Sequence, residues 1–238
     1  MMIEIYKKFR YLFFVLGVLA ISSCGSESSG VGPVQALQKE MINDSEYTIL
    51  LNDMREEGNF FPSYFHQYRT DIGENTDIHP YQMVTEKYYK RYEPYLGMVL
   101  ASKTPDGKLS NTPFPNGYQY IGNQNYGRWR QDSSGGSFWE FYGKYALISN
   151  LMNWGGGGLY RRDYNSYSNY RQNNKPYFGP KNSYGTNGTI TQKAKPDFYA
   201  RRKARKAKST SSFNKKVESR RIGRSKNSFR SRGSSFGK

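Results

Sequence analysis

The clearest hydrophobic pattern lies at the start of the chain. An apolar run from Tyr11 to Ile21 follows three basic residues, Lys7, Lys8 and Arg10. As a helix, a run of this length spans about 17 Å at about 1.5 Å per residue, against a bilayer core of about 30 Å. It is therefore too short to cross a membrane. Residues 1–23 are instead typical of a signal peptide.

Two helices are predicted in the next part of the chain. Ile49, Leu50 and Met54 fall near one helical face behind the N-cap residue Asp44, which predicts a helix over residues 44–54. A second helix fits residues 82–92, which precede Pro94.

The pattern then becomes typical of β-structure. Residues 97–102 predict a strand, and Pro105-Asp106-Gly107 is a strong turn sequence. Residues 118–122 and 126–131 predict a pair of strands joined by a polar turn.

The most regular helical pattern covers residues 137–152. The residues that repeat at helical spacing are Phe138, Phe141, Tyr142, Tyr145, Ser149 and Met152. Two interpretations stay open: a core helix packed on the small sheet, or a helix lying in a lipid interface. Its two charges and its short length exclude a membrane span.

These elements predict an α+β fold, with a small aromatic-rich domain of helices and a short antiparallel sheet over residues 34–154. The 22 Tyr, 14 Phe and 3 Trp supply much of its apolar area. A Gly/Tyr/Asn-rich coil is expected over residues 155–192. Residues 193–238 are basic, Ser-rich and poor in aliphatic side chains, so a disordered tail is predicted there.

Charge is distributed very unevenly within the net +17. Residues 24–100 carry six Lys/Arg against twelve Asp/Glu, a net charge of −6. Residues 159–238 carry 22 against three, a net charge of +19. The basic character therefore belongs to the last third of the chain.

The densest cationic segment predicts a contact with anionic material. Its candidate residues are Arg201, Arg202, Lys203, Arg205, Lys206 and Lys208. Anionic lipid, an envelope polymer or an acidic partner protein are the expected ligands. The plain alternative is a solvated tail with no fixed ligand.

Cys24 is the predicted lipidation site. Ile21-Ser22-Ser23-Cys24 resembles the lipobox of bacterial lipoproteins, in which an aliphatic residue and two small residues precede the modified cysteine. The resemblance implies a diacylglyceryl group on the thiol, cleavage before Cys24 and acylation (often palmitate) of the new amine. Residues 24–33 then form a flexible Ser/Gly-rich tether.

Lipidation at Cys24 decides the compartment and the ligands. The protein would be held on the extracytoplasmic side of a membrane, where cellular nucleic acid is absent, so nucleic acid is an unlikely partner. It returns as a candidate if Cys24 is not lipidated. Gly25 follows the cysteine, and this residue does not decide whether the protein is anchored in the inner or the outer membrane. Because Cys24 is the only cysteine, thiol catalysis, disulfides and cysteine-ligated metals are excluded in the mature chain.

The sequence contains no recognised catalytic or metal-binding motif. His66 and His79 lie in no metal-ligand spacing, so each is interpreted as a structural or surface histidine. Glu56, Glu57 and Asp77 are carboxylates that no pattern singles out. The four glycines at 155–158 lack the Lys-Ser/Thr of a phosphate-binding loop and are interpreted as a linker. The sequence predicts no cofactor and gives no support for an enzyme.

Three pieces of the C-terminal half, together with the lipobox, carry a further resemblance. They are Gly136-Ser137-Phe138-Trp139, the pattern Tyr-Gly-Thr-x-Gly-x-x-Thr at 184–191, and the ending Arg232-Gly233-Ser234-Ser235-Phe236-Gly237-Lys238. Together they resemble the YgiB-type lipoproteins of bacteria. The resemblance implies an envelope role beside membrane partners and supplies no catalytic residue.

The expected function is therefore that of a non-enzymatic envelope lipoprotein whose basic tail contacts anionic material. The alternative is an accessory subunit of a membrane complex that docks through the aromatic domain.

Overall fold

The computed structural model describes residues 32–58, 61–73, 75–143 and 159–225, with side chains up to residue 219. The fold class is α+β, as predicted. The strands are β1 (Tyr47–Glu57), β2 (Ser63–Ile72), β3 (Asn75–Ile78), β4 (Gln82–Val84), β5 (Met98–Lys103), β6 (Leu109–Ser110), β7 (Phe114–Pro115), β8 (Gly127–Gln131) and β9 (Ser137–Phe141). The helices are α1 (Pro33–Glu40), α2 (Glu86–Tyr92), α3 (Arg161–Gln172), α4 (Thr189–Ala194) and α5 (Pro196–Ser225).

An antiparallel sheet forms the centre of the described structure, with strand order β3-β2-β1-β5-β6. Strand β4 also pairs with β2, and β7 pairs with β5. Strands β8 and β9 form a separate hairpin. Short 3₁₀ turns lie at Glu93–Tyr95, Tyr118–Tyr120 and Pro180–Asn182.

The sheet separates two hydrophobic clusters. The first contains Ile49 and Leu51 of β1, packed with residues of α1, α2 and the start of α5. The second contains Leu50 of β1 and Val99 of β5, packed with a largely aromatic layer. That layer comprises Phe114, Tyr118, Ile121, Trp139, Tyr167 and Tyr177. The central strands are therefore buried on both faces.

Burial on both faces explains why the predicted helix over residues 44–54 is wrong. Strand β1 occupies Tyr47–Glu57, and its first five residues are all buried. A strand covered on both sides has a continuous apolar run, which periodicity alone does not distinguish from a buried helix. The β-branched and aromatic residues Tyr47, Thr48 and Ile49 were the signal for a strand.

The predicted helix over residues 137–152 is wrong in its first part. Residues 137–141 form β9, which pairs with β8 so that Trp139 lies opposite Trp129. Asp132 closes the hairpin by accepting hydrogen bonds from the backbone N–H groups of Ser134 and Gly136. Residues 144–152 lie outside the described part of the chain.

Other local predictions are confirmed or corrected in detail. The strand predicted at 97–102 is confirmed as β5, and the turn at Pro105-Asp106-Gly107 is present. The helix predicted at 82–92 begins only at Glu86, because Gln82–Val84 pairs with β2 as a strand. Of the two strands predicted at 118–122 and 126–131, only the second is a strand.

The C-terminal third belongs to the folded body, which differs from the predicted coil and disordered tail. Tyr167 on α3 and Tyr177 are buried in the second cluster, and Phe198 on α5 is buried in the first. Residues 196–225 form one helix of 30 residues. Residues 155–158 and 226–238 lie outside the described residues.

The segment at 184–191, which carries part of the family resemblance, has a structural role. The buried Thr186 hydroxyl donates to the carbonyl of Glu93 and accepts from the N–H of Leu96 at 3.3 Å. A Cβ on Gly185 would lie 2.6 Å from the carbonyl oxygen of Pro94, and the φ of this glycine is +75°. The glycine and the threonine thus let this segment pack closely on the turn between α2 and β5.

Candidate functional site

The start of helix α5 attaches a strongly basic helix to the body. Pro196 begins the helix and Asp197 lies in its first turn, both common features of helix N-termini. Phe198 is only 5% exposed and anchors this turn in the first cluster. A helix of 30 residues is about 45 Å long, so most of α5 extends beyond this anchor.

Three arginines in the next two turns form an arginine clamp, consisting of Arg201, Arg202 and Arg205 on acidic partners of the body. Arg201 Nη2 lies 2.6 Å from Asp53 Oδ2, and Arg205 Nε lies 2.6 Å from Glu56 Oε2. Arg202 Nη2 lies 3.0 Å from Glu93 Oε1. Arg205 also donates to the backbone carbonyl of Glu56 at 3.0 Å. The basic helix is therefore fixed to the acidic half of the chain by charge pairing.

Asp53 is the most enclosed of the three clamp acceptors, with 15% of its side chain exposed. Its Oδ2 also accepts a hydrogen bond from the Tyr81 hydroxyl at 2.6 Å, while its Oδ1 accepts from the N–H of Met54. Burial, together with the hydrogen bond to this carboxylate, raises the pKa of Tyr81 to about 12. Tyr81 therefore stays protonated and holds Asp53 in place for Arg201.

A cleft of about 360 Å³ lies beside the clamp. Its walls include Glu56 and Glu93 together with all three clamp arginines. Because both signs of charge line it and are already paired, this cleft is not selective for an anion.

The lysines of α5 differ from its arginines. Lys203, Lys206 and Lys208 are exposed and make no ion pair with any described residue. Lys215 and Lys216 are exposed in the same way further along. We call residues 206–225 the basic arm, since they continue α5 past the clamp.

A shallow groove of about 830 Å³ follows one side of the basic arm. Cationic and hydroxyl side chains line it, including Lys208, Lys215 and Lys216, and Phe213 at 66% exposure adds an apolar surface. A helix that is polar on nearly all sides is rarely stable by itself, which favours a role in contacting a partner.

The six residues predicted to bind anions thus divide into two groups. Arg201, Arg202 and Arg205 are occupied by carboxylates of the same chain. Lys203, Lys206 and Lys208 remain available. The predicted lipidation site, Cys24, lies outside the described residues.

His66 is a structural residue, as its interpretation from the sequence suggested. It is fully buried among tyrosines of β2 and α2, and its Nδ1 lies 2.9 Å from the Tyr68 hydroxyl. Its Nε2 has no hydrogen-bond partner among the described residues. Burial lowers the pKa of His66 to about 4, so the ring is neutral at physiological pH.

Over residues 32–58, 61–73, 75–143 and 159–225, no group of three or more His, Cys, Asp or Glu side chains is placed to hold a metal ion. Within the same ranges, no helix combines the length and apolar character needed to cross a bilayer.

The fold and the site define an α+β protein that carries a projecting basic helix clamped at its base. Comparison with known proteins adds no family, because no family model, no curated protein and no solved structure matches this chain.

Sequence reasoning missed the acceptors of the clamp. Glu56 is one of three carboxylates that no sequence pattern singles out, and no sequence pattern points to Asp53 or Glu93. The available signal was the charge asymmetry, since an acidic first half and a basic last third attract each other within one chain. Pro196 and Asp197, just before Phe198, are typical of a helix N-terminus and were a second signal, which pointed to a helix that begins at this position.

Proposed function

We propose that this chain is a membrane-anchored envelope lipoprotein whose basic arm contacts an anionic lipid surface. The observation that carries the proposal is the division of the α5 cations. Carboxylates of the body neutralise the clamp arginines, while Lys206, Lys208, Lys215 and Lys216 remain exposed on a helix that extends past the body.

The dimensions of the chain are compatible with contact at the anchoring membrane. A tether over residues 24–32, which precede α1, spans at most about 32 Å when extended, at about 3.5 Å per residue. The basic arm is about 30 Å long. A body lifted by such a tether can therefore lay its arm against the bilayer that carries its lipid anchor.

The chemistry of the arm suits a headgroup region. Each Lys or Arg near an anionic membrane surface contributes about 1 kcal/mol, within the range of the Debye length. Phe213 beside these lysines adds a ring of the kind that inserts at the headgroup level. The alternative of docking through an aromatic surface has less support, because Tyr118, Tyr167 and Tyr177 are buried within the protein.

Neutralising the exposed lysines tests the proposed contact. A chain with Cys24→Ser, and so without its anchor, should bind vesicles containing anionic phosphatidylglycerol and release them as salt is raised. Replacing Lys206, Lys208, Lys215 and Lys216 together by Gln should weaken this binding by at least about a hundredfold, since four cations contribute about 1 kcal/mol each. Vesicle co-sedimentation measures the effect.

A charge-matched control exists on the body. Lys39, Lys87, Lys175 and Lys193 are exposed and form no ion pair with any described residue. Their fourfold replacement by Gln removes the same net charge. Equal weakening in both fourfold variants would show that binding follows net charge alone, and the arm would lose its assigned role.

The anchor is tested separately by metabolic labelling. Cells given labelled palmitate should yield labelled protein whose mature N-terminus is Cys24, and Cys24→Ser should abolish the label. Globomycin, which blocks lipoprotein signal cleavage, should cause the uncut form to accumulate. Recovery of unlabelled protein that retains residues 1–23 from the soluble cell interior would refute the anchor and restore nucleic acid as a ligand of the arm.

A further inference from the structure

A second cationic site lies away from the basic arm, in a cleft of about 210 Å³ between the central sheet and helix α4. Asn52 of β1, Arg69 of β2 and Lys195 at the end of α4 line it, and Leu50 and Ile190 supply apolar walls. This volume has room for several water molecules or for one small polyatomic group. The cleft is thus sized for a small group.

Lys195 is held in this cleft by a neutral partner. Its Nζ lies 2.7 Å from Asn52 Oδ1, and the Asn52 amide is oriented by a hydrogen bond from its Nδ2 to Gln67 Oε1 at 2.8 Å. An ammonium group has three N–H donors. Two of them make no hydrogen bond with a described residue.

Arg69 brings a second positive charge that is only partly satisfied. Its Nη2 donates to Asp71 Oδ2 at 2.8 Å, but its Nε is buried and has no hydrogen-bond partner among the described residues. The Arg69 side chain is 17% exposed. Because Nε is enclosed, a ligand cannot reach it, and Arg69 contributes to the cleft as a nearby positive charge.

The carboxylates around the cleft already accept hydrogen bonds from other side chains. Asp71 binds Arg69, and Asp53 binds Arg201 and Tyr81. Burial, and the repulsion from Arg69, lower the pKa of Lys195, whereas Asp53 raises it. Lys195 therefore has no carboxylate partner of its own within the described structure.

We propose that this cleft binds a small oxyanion, the phosphate or carboxylate group of a small solute, between Lys195 and Arg69. The ammonium of Lys195 supplies charge-assisted hydrogen bonds to the oxyanion, and the nearby guanidinium of Arg69 adds positive charge. The amide of Asn116, which also lines the cleft, supplies a further polar contact. This site is independent of the contact proposed for the basic arm.

Titration of the full mature chain with inorganic phosphate, followed by amide NMR at constant ionic strength, tests the proposal. Amide signals of residues 190–195 should shift and saturate. Lys195→Met should weaken the association by about tenfold or more, because it removes hydrogen bonds from a charged donor. Lys193→Met is the matched control, since Lys193 is exposed on the same helix, and it should leave the affinity unchanged.

A second variant serves as a control for the case in which Lys195→Met fails to fold. Asn116→Asp adds a negative charge to the cleft wall and should abolish phosphate binding while the thermal unfolding midpoint remains near that of the parent. Parallel titrations with glycerol 3-phosphate and acetate distinguish an esterified phosphate and a carboxylate from free phosphate. Shifts that never saturate with any of the three, or that persist in Asn116→Asp, would mean that the cleft holds only water. Neither result would bear on vesicle binding, which depends on different lysines.

Discussion

A chain that ends at residue 192 should lose most of its stability. This truncation removes Phe198, which is buried in the first cluster, and all three arginines of the clamp. Deleting a buried Phe side chain alone costs about 3–5 kcal/mol. Because domains are stable by only about 5–15 kcal/mol, this truncation should leave the chain unfolded or nearly so. Urea denaturation followed by circular dichroism measures the loss.

A chain that ends at residue 208 is the matched control. It retains Phe198 and the whole clamp while lacking most of the basic arm, so its free energy of unfolding should lie within about 0.5 kcal/mol of the full chain. Phe198→Ala should reproduce most of the loss seen on truncation at 192. Identical urea midpoints for the chains ending at 192 and 238 would instead support the disordered tail from residue 193 that the sequence predicted.

Acid should destabilise the protein through His66. Burial lowers the pKa of His66 from 6.5 to about 4, so the unfolded chain binds this proton more tightly than the folded chain does. The stabilising contribution of the neutral ring is complete above pH 6.5 and is lost as the pH falls toward about 4. At about 1.4 kcal/mol per pKa unit, the expected loss across this interval is about 3 kcal/mol.

The effect is isolated by comparing variants, since carboxylates also titrate in this interval. In His66→Asn, which can keep a hydrogen bond to the Tyr68 hydroxyl, the fall in unfolding free energy between pH 7 and pH 4 should shrink by about 3 kcal/mol. In His79→Asn the fall should remain, because His79 lies outside the buried tyrosine cluster, next to Thr70. A fall of equal size in His66→Asn and in the parent would show that the pKa of His66 is the same in the folded and the unfolded chain.

The sequence predicted the α+β class and one central strand, but it failed where burial depends on distant partners. Strand β5 was recognised because Gly97 precedes it and a clear turn follows it. Strand β1 was not, because Leu50 faces one cluster while Ile49 and Leu51 face the other, and its apolar run therefore carries no alternation. The layer that covers Leu50 begins at Phe114, which follows Leu50 by 64 positions.

The basic residues of the candidate site could be recognised from the sequence, but their acidic partners in space could not. The sequence singles out the six cations of residues 201–208 as one basic cluster, but it predicts disorder where the structure has a helix. The clamp requires Asp53, Glu56 and Glu93 to be adjacent in space, which local sequence does not reveal. The same limit applies to Lys195 and Arg69, which α4 and β2 bring to one cleft.

The clamp also determines when this protein is able to fold. Arg201 and Arg205 contact residues that precede them by 148 and 149 positions. Contacts between such distant parts of a chain form slowly, because a long loop must close before they stabilise anything. Strand β1 therefore lacks its contacts with helix α5 until residue 205 has been synthesised. If the polypeptide is exported through a secretion channel, this delay keeps it unfolded, and hence competent for translocation, until helix α5 has left the ribosome.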